Sequence, residues 1–246
     1  MIPTRESTVL DGRVRLAQPA AGYRAGLDAA LLAAVCDAEE GERVVELGCG
    51  VGGALLAAAA RRPSARFTGV ERDPEALALA RSNIITNDAA DRVEALGGDA
   101  AAAFRSLNLP RFDLAMANPP FFDDPAALRA PAPAKRGAWM ANDGLAVWLG
   151  WLLDAVRDGG RVLLIHRADR LPDLFAALRP RAGSIQVRPV HPFADQPAKR
   201  VLIRAVRTGR APFRLLSPLI LHDRSGAKHT PEAEAILRGR ADTGWL

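Results

Sequence analysis

Asn118, Pro119, Pro120 and Phe121 follow one another directly after an apolar run that is typical of a buried strand. The Asn118 side chain offers a carbonyl oxygen as a hydrogen-bond acceptor. Pro119 has no N–H but keeps its backbone carbonyl, and it favours extended backbone geometry at Asn118. Two rigid acceptors beside an aromatic ring form a receptor for a planar amino group, such as a base amine or a side-chain amide. The alternative is a proline-rich turn that only closes a strand.

A glycine-rich turn lies nearer the N terminus, at Gly48, Gly50 and Gly52, between an apolar strand-like run and an alanine-rich helical run. Glycines in such a turn let the backbone bend tightly and approach a ligand closely. Glu71 ends the next predicted strand, 19 residues beyond Gly52 (71 − 52), where a carboxylate can bind ribose hydroxyls. The pattern predicts a nucleotide site, with an ordinary tight turn of an α/β protein as the alternative.

Glu46 indicates what kind of nucleotide this site binds. A carboxylate on the strand before the turn repels a pyrophosphate but suits a cationic ligand, and S-adenosylmethionine carries both an ammonium and a sulfonium group. Asp99, which follows the third predicted strand, can accept a hydrogen bond from an adenine amine. Together with Glu71 and Asn118, these acids end four successive predicted strands. Ligands of doubly wound sheets bind outside the carboxyl ends of the strands, so we expect the four side chains to converge.

Alternating strand-like and helix-like runs from about residue 43 onward predict an α/β fold. We expect a Rossmann-like doubly wound sheet of seven strands, mostly parallel with an antiparallel edge strand. The predicted strands span residues 44–47, 66–71, 93–97, 112–117, 161–166, 185–190 and 201–206. Asp73 is predicted to cap a helix that begins at Pro74, and Asp143 to cap one that ends at Gly159 and Gly160. Residues 9–16 and 27–35 predict a hairpin and a helix before the sheet.

The charge is divided unevenly along the chain, whose formal net charge is +5. Residues 1–128 carry 13 Lys and Arg against 18 Asp and Glu, a net charge of −5, so residues 129–246 carry 20 against 10, or +10. A basic half predicts an anionic partner, of which nucleic acid is the first candidate. The alternative is arginine used as general surface polarity.

Other classes of protein are disfavoured by the composition. No apolar run approaches the 18 residues of a membrane-spanning helix, and the first residues lack the pattern of a signal peptide. The two cysteines and four histidines do not have metal-ligand spacing. We therefore expect a reduced, cytoplasmic protein with no membrane span and no metal.

Taken together, these motifs resemble the class I S-adenosylmethionine-dependent methyltransferases that methylate amines. Residues 18–32, 218–223 and 228–232 are similar to segments of the bacterial valine-tRNA adenine-N6 methyltransferases, and the resemblance extends over about residues 9–238. It implies methyl transfer to the exocyclic amine of an adenine in tRNA. One position departs from that family, in which the ring after the two prolines is usually tyrosine; Phe121 matches the related rRNA guanine-N2 enzymes instead.

The resemblance also implies the functional residues and the domain organisation. Residues 1–36 would form an N-terminal extension that contributes to the cofactor pocket, and residues 37–246 a methyltransferase domain with a lid loop at 122–142. Catalytic roles are implied for Asn118, Pro119, Pro120 and Phe121. The implied cofactor contacts are Tyr23, Arg24, Asp28, Glu46, Gly48, Gly50, Gly52, Glu71, Arg72, Asp99 and Asn118. Contacts with RNA phosphates are expected from the basic second half, including Lys135, Arg136, Lys199 and Arg200.

Alternatives remain at this point. Guanine N2 of rRNA and the amide of a protein glutamine fit the same receptor for an amino group. An RNA-binding module that responds to S-adenosylmethionine without turnover would share the cofactor motifs and the basic half. A nicotinamide-dependent oxidoreductase would share the glycine turn and Glu71.

Overall fold

A nine-stranded sheet and a separate two-stranded hairpin organise the computed structural model, which describes residues 3–20, 26–120 and 144–245. The strands are β1 (Thr4–Val9), β2 (Val14–Pro19), β3 (Arg43–Leu47), β4 (Arg66–Glu71), β5 (Val93–Gly97), β6 (Phe112–Ala117), β7 (Val156–Arg167), β8 (Ala182–His191), β9 (Arg200–Arg207), β10 (Arg214–Leu215) and β11 (Leu219–Ile220). The α-helices are α1 (Leu27–Ala34), α2 (Gly53–Arg61), α3 (Pro74–Thr86), α4 (Gly144–Ala155), α5 (Leu171–Leu178) and α6 (Pro231–Leu237).

The order of the strands places a crevice next to β3. The main path of the sheet runs β10-β8-β9-β7-β6-β3-β4-β5, with β11 also paired to β8. The chain builds β3, β4 and β5 in one direction and then returns to place β6 and β7 on the other side of β3. This reversal is the topological switch point at which doubly wound sheets bind their ligands. The predicted fold class is therefore confirmed.

The antiparallel strand lies inside the sheet rather than at its edge. β9 pairs antiparallel with both β7 and β8, so β8 runs in the same direction as β6 and β7. Two short strands of two residues each, β10 and β11, then pair with the outer side of β8. The antiparallel strand was predicted at the edge of the sheet, and the structure corrects this, because β9 pairs with the distant strand β7 as well as with its neighbour β8.

Helices pack on both faces of the sheet. Alternate residues of each strand point to opposite faces and so contribute to two separate cores. On β6, Leu114 and Met116 join a core with α1, α2, α3 and α6, whereas Ala115 and Ala117 join a second core with α4 and α5. The alanine-rich sequence of α2 suits this arrangement, since small side chains let the helix lie close to the sheet. Among the described residues, no helix combines the length and apolar character needed to cross a membrane.

Three local predictions about helix ends have different outcomes. The Asp73 side chain accepts hydrogen bonds from the N–H groups of Glu75 and Ala76 and so caps α3. α4 ends at Ala155, earlier than the glycine pair predicts, because Val156 already pairs with Phe112 of β6. The predicted cap at Asp143 lies outside the described residues.

The N-terminal hairpin is hydrogen-bonded to α3. Asn83 of α3 is 1% exposed, and its side chain accepts from the Ala17 N–H at 2.8 Å and donates to the Ala17 carbonyl at 3.0 Å. It also donates to the carbonyl of Val51, inside the glycine turn, at 2.9 Å. One buried amide thus ties β2, α3 and the turn together. The domain boundary at residue 36 and the lid at 122–142 stay predictions, and the whole lid lies outside the described residues.

Candidate functional site

The glycine turn connects β3 to α2 in a conformation that only glycine adopts easily. Gly48, Gly50 and Gly52 have φ angles of 69°, 56° and 87°. A Cβ atom on Gly48 would lie 2.3 Å from the Cη2 atom of Trp148, whose indole packs against the turn from α4. A Cβ atom on Gly50 would meet nothing within 4 Å. Gly48 is therefore required by both backbone angle and close packing, and Gly50 by backbone angle alone.

Glu71 closes the turn from the neighbouring strand. One oxygen, Oε2, accepts from the Gly50 N–H at 2.8 Å, and the other, Oε1, accepts from the Asp73 N–H at 2.7 Å. The carboxylate thus joins the glycine turn to the start of α3. Because each carboxylate oxygen can accept two hydrogen bonds, Glu71 keeps capacity for the hydroxyls of a ribose.

Glu46 is a buried carboxyl group beside a second acid. It lies in β3 and is 3% exposed, and its Oε2 atom has no hydrogen-bond partner among the described residues. Burial and, to a smaller extent, the neighbouring Glu71 carboxylate together raise the pKa of Glu46 to about 8, and the Leu55 backbone N–H acts in the opposite direction. A buried acid next to a second acid is stabilised in its charged form by a cationic ligand.

Asp99 and Arg72, which were assigned to the cofactor from the sequence, lie next to each other. Asp99 follows the end of β5 by two residues, and its Oδ1 atom accepts from the Ala101 N–H at 2.9 Å. Its Oδ2 atom lies 3.4 Å from Nη1 of Arg72, and both side chains are well exposed. The pair therefore lies beside Glu71, at the carboxyl end of the sheet.

The Asn-Pro-Pro run begins at the same edge. Leu47 pairs with Ala117, so the residues that follow them, Gly48 and Asn118, start side by side on strands spaced by about 4.8 Å. Pro119 is buried, whereas Asn118 and Pro120 are half-buried. The structure thus brings the predicted amine receptor next to the glycine turn. Phe121 lies outside the described residues.

The remaining predicted site residues are less closely grouped. Asp28 of α1 forms an ion pair with Arg200, with Oδ2 and Nε 3.1 Å apart, so an acid assigned to the cofactor holds a cation assigned to RNA. Lys199 precedes Arg200 at the start of β9, and its backbone N–H donates to the carbonyl of Val190. The other residues assigned to the cofactor or to RNA lie outside the described residues: Tyr23, Arg24, Lys135 and Arg136.

Most arginines of the basic half are engaged within the protein. Arg181 pairs with Asp154, Arg204 with Asp37 and Arg207 with Asp158. Arg188 donates to the backbone carbonyls of Ser217 and Gly244. The charge surplus of this half therefore overstates the number of guanidinium groups that can meet an anionic partner.

Two residues near the site were not assigned to it from the sequence. Trp148 is the side chain that covers Gly48. His166 is 3% exposed, and burial lowers its pKa to about 4. Continuing the register of β6 and β7 places His166 beside Pro119. The apolar run directly before His166, at residues 162–165, was the signal for burial.

Comparisons with known proteins agree with this geometry. A family model for the methyltransferase small domain matches residues 24–130. A tRNA1(Val) (adenine(37)-N6)-methyltransferase from Porphyromonas gingivalis is 32% identical over 235 residues, which cover 89% of each protein. A release factor glutamine methyltransferase from Caulobacter vibrioides is 40% identical over 158 residues, which cover 60% of this chain and 52% of that protein.

Solved structures show the same architecture. The crystal structure of a predicted O-methyltransferase from Agrobacterium tumefaciens matches with a TM-score of 0.74 and 27% identity, covering 88% of this chain and 98% of that one. The match in fold therefore extends over nearly the whole chain, as does the match to the tRNA methyltransferase. The protein is an S-adenosylmethionine-dependent methyltransferase, and it belongs to the family that includes the bacterial tRNA1(Val) (adenine(37)-N6)-methyltransferases.

Proposed function

We propose that this enzyme methylates the exocyclic N6 amine of an adenine in RNA, and that its substrate is a tRNA. The observation that carries the proposal is the placement of Asn118 beside Gly48, which sets a receptor for a planar amine at the edge of the glycine turn. The relative that matches 89% of the chain is named for adenine N6 in tRNA, whereas the glutamine methyltransferase matches 60%. The adenine in tRNA is therefore the better supported substrate.

The residues around the turn fit S-adenosylmethionine. When bound, this cofactor supplies a methyl group on a positively charged sulfur. Glu46 offers a buried carboxylate oxygen without a partner among the described residues, which suits the positive charge of the ligand. Glu71 is placed to bind ribose hydroxyls, and Asp99 with Arg72 to border the adenine. By their resemblance to the family, Tyr23, Arg24 and Asp28 complete the site at the methionine end.

Asn118 and Pro119 orient the amine that is methylated. The nitrogen lone pair of adenine N6 is delocalised into the ring, so the free amine is a poor nucleophile. The Asn118 side-chain carbonyl and the Pro119 backbone carbonyl each accept one amine hydrogen, which fixes the direction of the lone pair. Orientation of this kind is worth up to about 7–11 kcal/mol in favourable intramolecular cases. Pro120 stiffens the run, and Phe121 stacks on the extruded base.

No residue needs to act as a strong base. The methylated amine is much more acidic than adenine N6 itself, so its proton passes readily to water. The imidazole of His166 beside Pro119 is neutral at physiological pH, because burial lowers its pKa to about 4. Neutral His166 adds no positive charge next to the amine receptor. The carbonyl oxygens of Asn118 and Pro119 therefore stay available to accept the amine hydrogens.

Mass spectrometry of nucleosides tests the proposal. Total tRNA and rRNA from a deletion strain are hydrolysed, and each methylated nucleoside is compared with the parent strain and with a strain complemented by the wild-type gene. We expect N6-methyladenosine to disappear from one tRNA. Loss of N2-methylguanosine from rRNA instead, or loss of methylation from a protein glutamine with no change in RNA, would replace the proposed substrate by one of those two.

The raised pKa of Glu46 leads to a prediction about pH. With a pKa of about 8, Glu46 is ionised in about 1% of free molecules at pH 6 and in half of them at pH 8. Because the cationic cofactor favours the ionised form, its affinity should rise about 50-fold between these pH values. Glu46→Gln should weaken binding and remove the dependence on pH. Titration calorimetry from pH 6 to pH 8 measures both effects.

The pH dependence of folding stability tests the pKa of Glu46 independently of cofactor binding. The pKa of Glu46 in the folded protein lies above the unfolded value of about 4.3, so the folded state is favoured at low pH and loses stability as pH rises towards 8. Glu46→Gln should remove that loss in urea titrations at pH 5.5 and pH 8. Glu75→Gln, at an exposed position of α3, is the matched control. A wild-type affinity that is flat with pH, or full affinity in Glu46→Gln, would contradict the role of Glu46.

A further inference from the structure

A groove lies at the amino-terminal end of β8, where the pairing of the sheet is irregular. The pairing of β8 with β9 shifts between Gly183 and Gln186, and Ser184 has a left-handed backbone with φ of 49°. The Ser184 hydroxyl oxygen accepts from the Ala211 N–H at 2.9 Å and so holds the chain after β9 in place. Such irregularities occur preferentially near functional sites and are energetically costly unless the surroundings hold them.

Aromatic rings line this groove. Its volume is about 470 Å³; Ala182 and Ile185 form part of the apolar lining. The rings of Phe175 and Phe213 meet edge to face, with centroids 5.5 Å apart and an interplanar angle of 80°. Phe213 is 52% exposed even though it packs on Phe175. An aromatic ring that remains half exposed beside a preformed groove offers a surface on which another planar group can stack.

Two arginines lie in or next to the groove. Arg179 contributes to its lining, and Arg210 directly precedes the lining residue Ala211. Within the described part of the chain, these two guanidinium groups have no ion pair and no side-chain hydrogen bond, in contrast to Arg181 and Arg207 nearby. The residues that line the groove include no acid. The groove therefore combines stacking surface with uncompensated positive charge.

We infer that this groove is a second RNA-binding site, at which a base stacks on Phe213 while arginines contact the adjoining phosphates. The inference rests on the proposed RNA substrate. Aromatic rings combined with basic side chains are the usual means of binding an unpaired stretch of nucleic acid without reading its sequence. A partner protein or a second copy of this chain would also use aromatic and arginine side chains, but two guanidinium groups that have no ion pair within the described part of the chain favour a polyanion.

The groove is too far from Asn118 to touch the methylated nucleotide. Ala117, Leu164, Ile203 and Val187 share one level across β6, β7, β9 and β8. From there the groove lies about four strand spacings sideways, counted to the outer side of β8, and about five residues back towards the amino ends of the parallel strands. The separation from Asn118 is about 25 Å. The groove should therefore hold RNA several nucleotides from the target and affect binding rather than the chemical step.

Two substitutions in the groove test the inference with the full-length enzyme. Phe213→Ala should raise KM for tRNA about 5- to 20-fold, because it removes a stacking surface. Arg179→Ser should raise KM less and reduce the slope of log Kd against log salt by about 0.7–0.9, the value for one lost phosphate contact. Both variants should keep kcat at saturating tRNA and keep the affinity for S-adenosylmethionine. Ile85→Ala, at an apolar residue that is 69% exposed on α3, and Arg5→Ser, on the hairpin, are the controls.

Each other result has a defined meaning. An unchanged KM in both groove variants would overturn the inference. A loss of cofactor affinity as large as the increase in KM would also overturn it, because that result would indicate a damaged fold. A lower sedimentation coefficient of Phe213→Ala with unchanged tRNA binding would assign the groove to a second copy of the chain. Filter binding of total tRNA separates this inference from the proposed function: if the wild-type enzyme methylates no RNA but the groove variants still weaken tRNA binding, the inference stands and the proposed substrate fails.

Discussion

Asn118→Ala should lower kcat by about 10²- to 10³-fold and leave the affinity for S-adenosylmethionine within about twofold. The substitution removes one of the two acceptors that orient the amine, and losing one preorganised hydrogen-bonding group in an active site typically costs this much. The cofactor affinity should survive because Glu46, Glu71 and the glycine turn are unchanged. Single-turnover methylation of tRNA measures the rate, and calorimetry measures the cofactor affinity.

Asn108→Gly provides a matched control for this substitution. Asn108 is an exposed asparagine with a left-handed backbone, φ of 51°, which glycine adopts without strain. Its replacement should leave both kcat and cofactor affinity unchanged. An unaltered kcat in Asn118→Ala would remove the amine receptor from the mechanism. Equal losses of rate and cofactor affinity would mean that Asn118 supports the cofactor alone.

Gly48→Ala should reduce the free energy of unfolding by about 2–5 kcal/mol. About 1–2 kcal/mol comes from a left-handed backbone with a side chain, and about 1–3 kcal/mol from overpacking. The overpacking arises because the new methyl group would lie 2.3 Å from Trp148. Displacing Trp148 also disturbs the turn, so cofactor affinity should fall together with stability. Urea titration and calorimetry measure the two effects.

The neighbouring glycine separates the two causes. Gly50 is also left-handed but has open space around it, so Gly50→Ala should cost only the backbone term of about 1–2 kcal/mol. In a double variant with Trp148→Ala, the additional cost of Gly48→Ala should disappear, which a double-mutant cycle reports as a coupling energy. Equal costs at Gly48 and Gly50, with no coupling to Trp148, would show that the indole does not support the turn.

The sequence by itself determined the features that depend on neighbouring residues. The glycine turn between a strand and a helix, the cap at Asp73 and the bounds of β4, β5 and β6 follow from local backbone preferences and from side-chain periodicity. The order of acids and amides after successive strands was also sufficient to expect convergence at one edge. Parallel strands share a direction, so residues that follow them must meet at the same end of the sheet.

The tertiary structure alone decided the features that depend on distant partners. The insertion of β9 between β7 and β8 is a choice of pairing, and the ion pair of Asp28 with Arg200 joins residues 172 positions apart. The protonation of Glu46 and the neutrality of His166 follow from burial, which no local pattern measures. Arg179 and Arg210 stood out only because the structure shows which other arginines of the described residues form ion pairs. Charge and burial are properties of the packed molecule, because desolvation and Coulomb interactions depend on which groups are brought close in space.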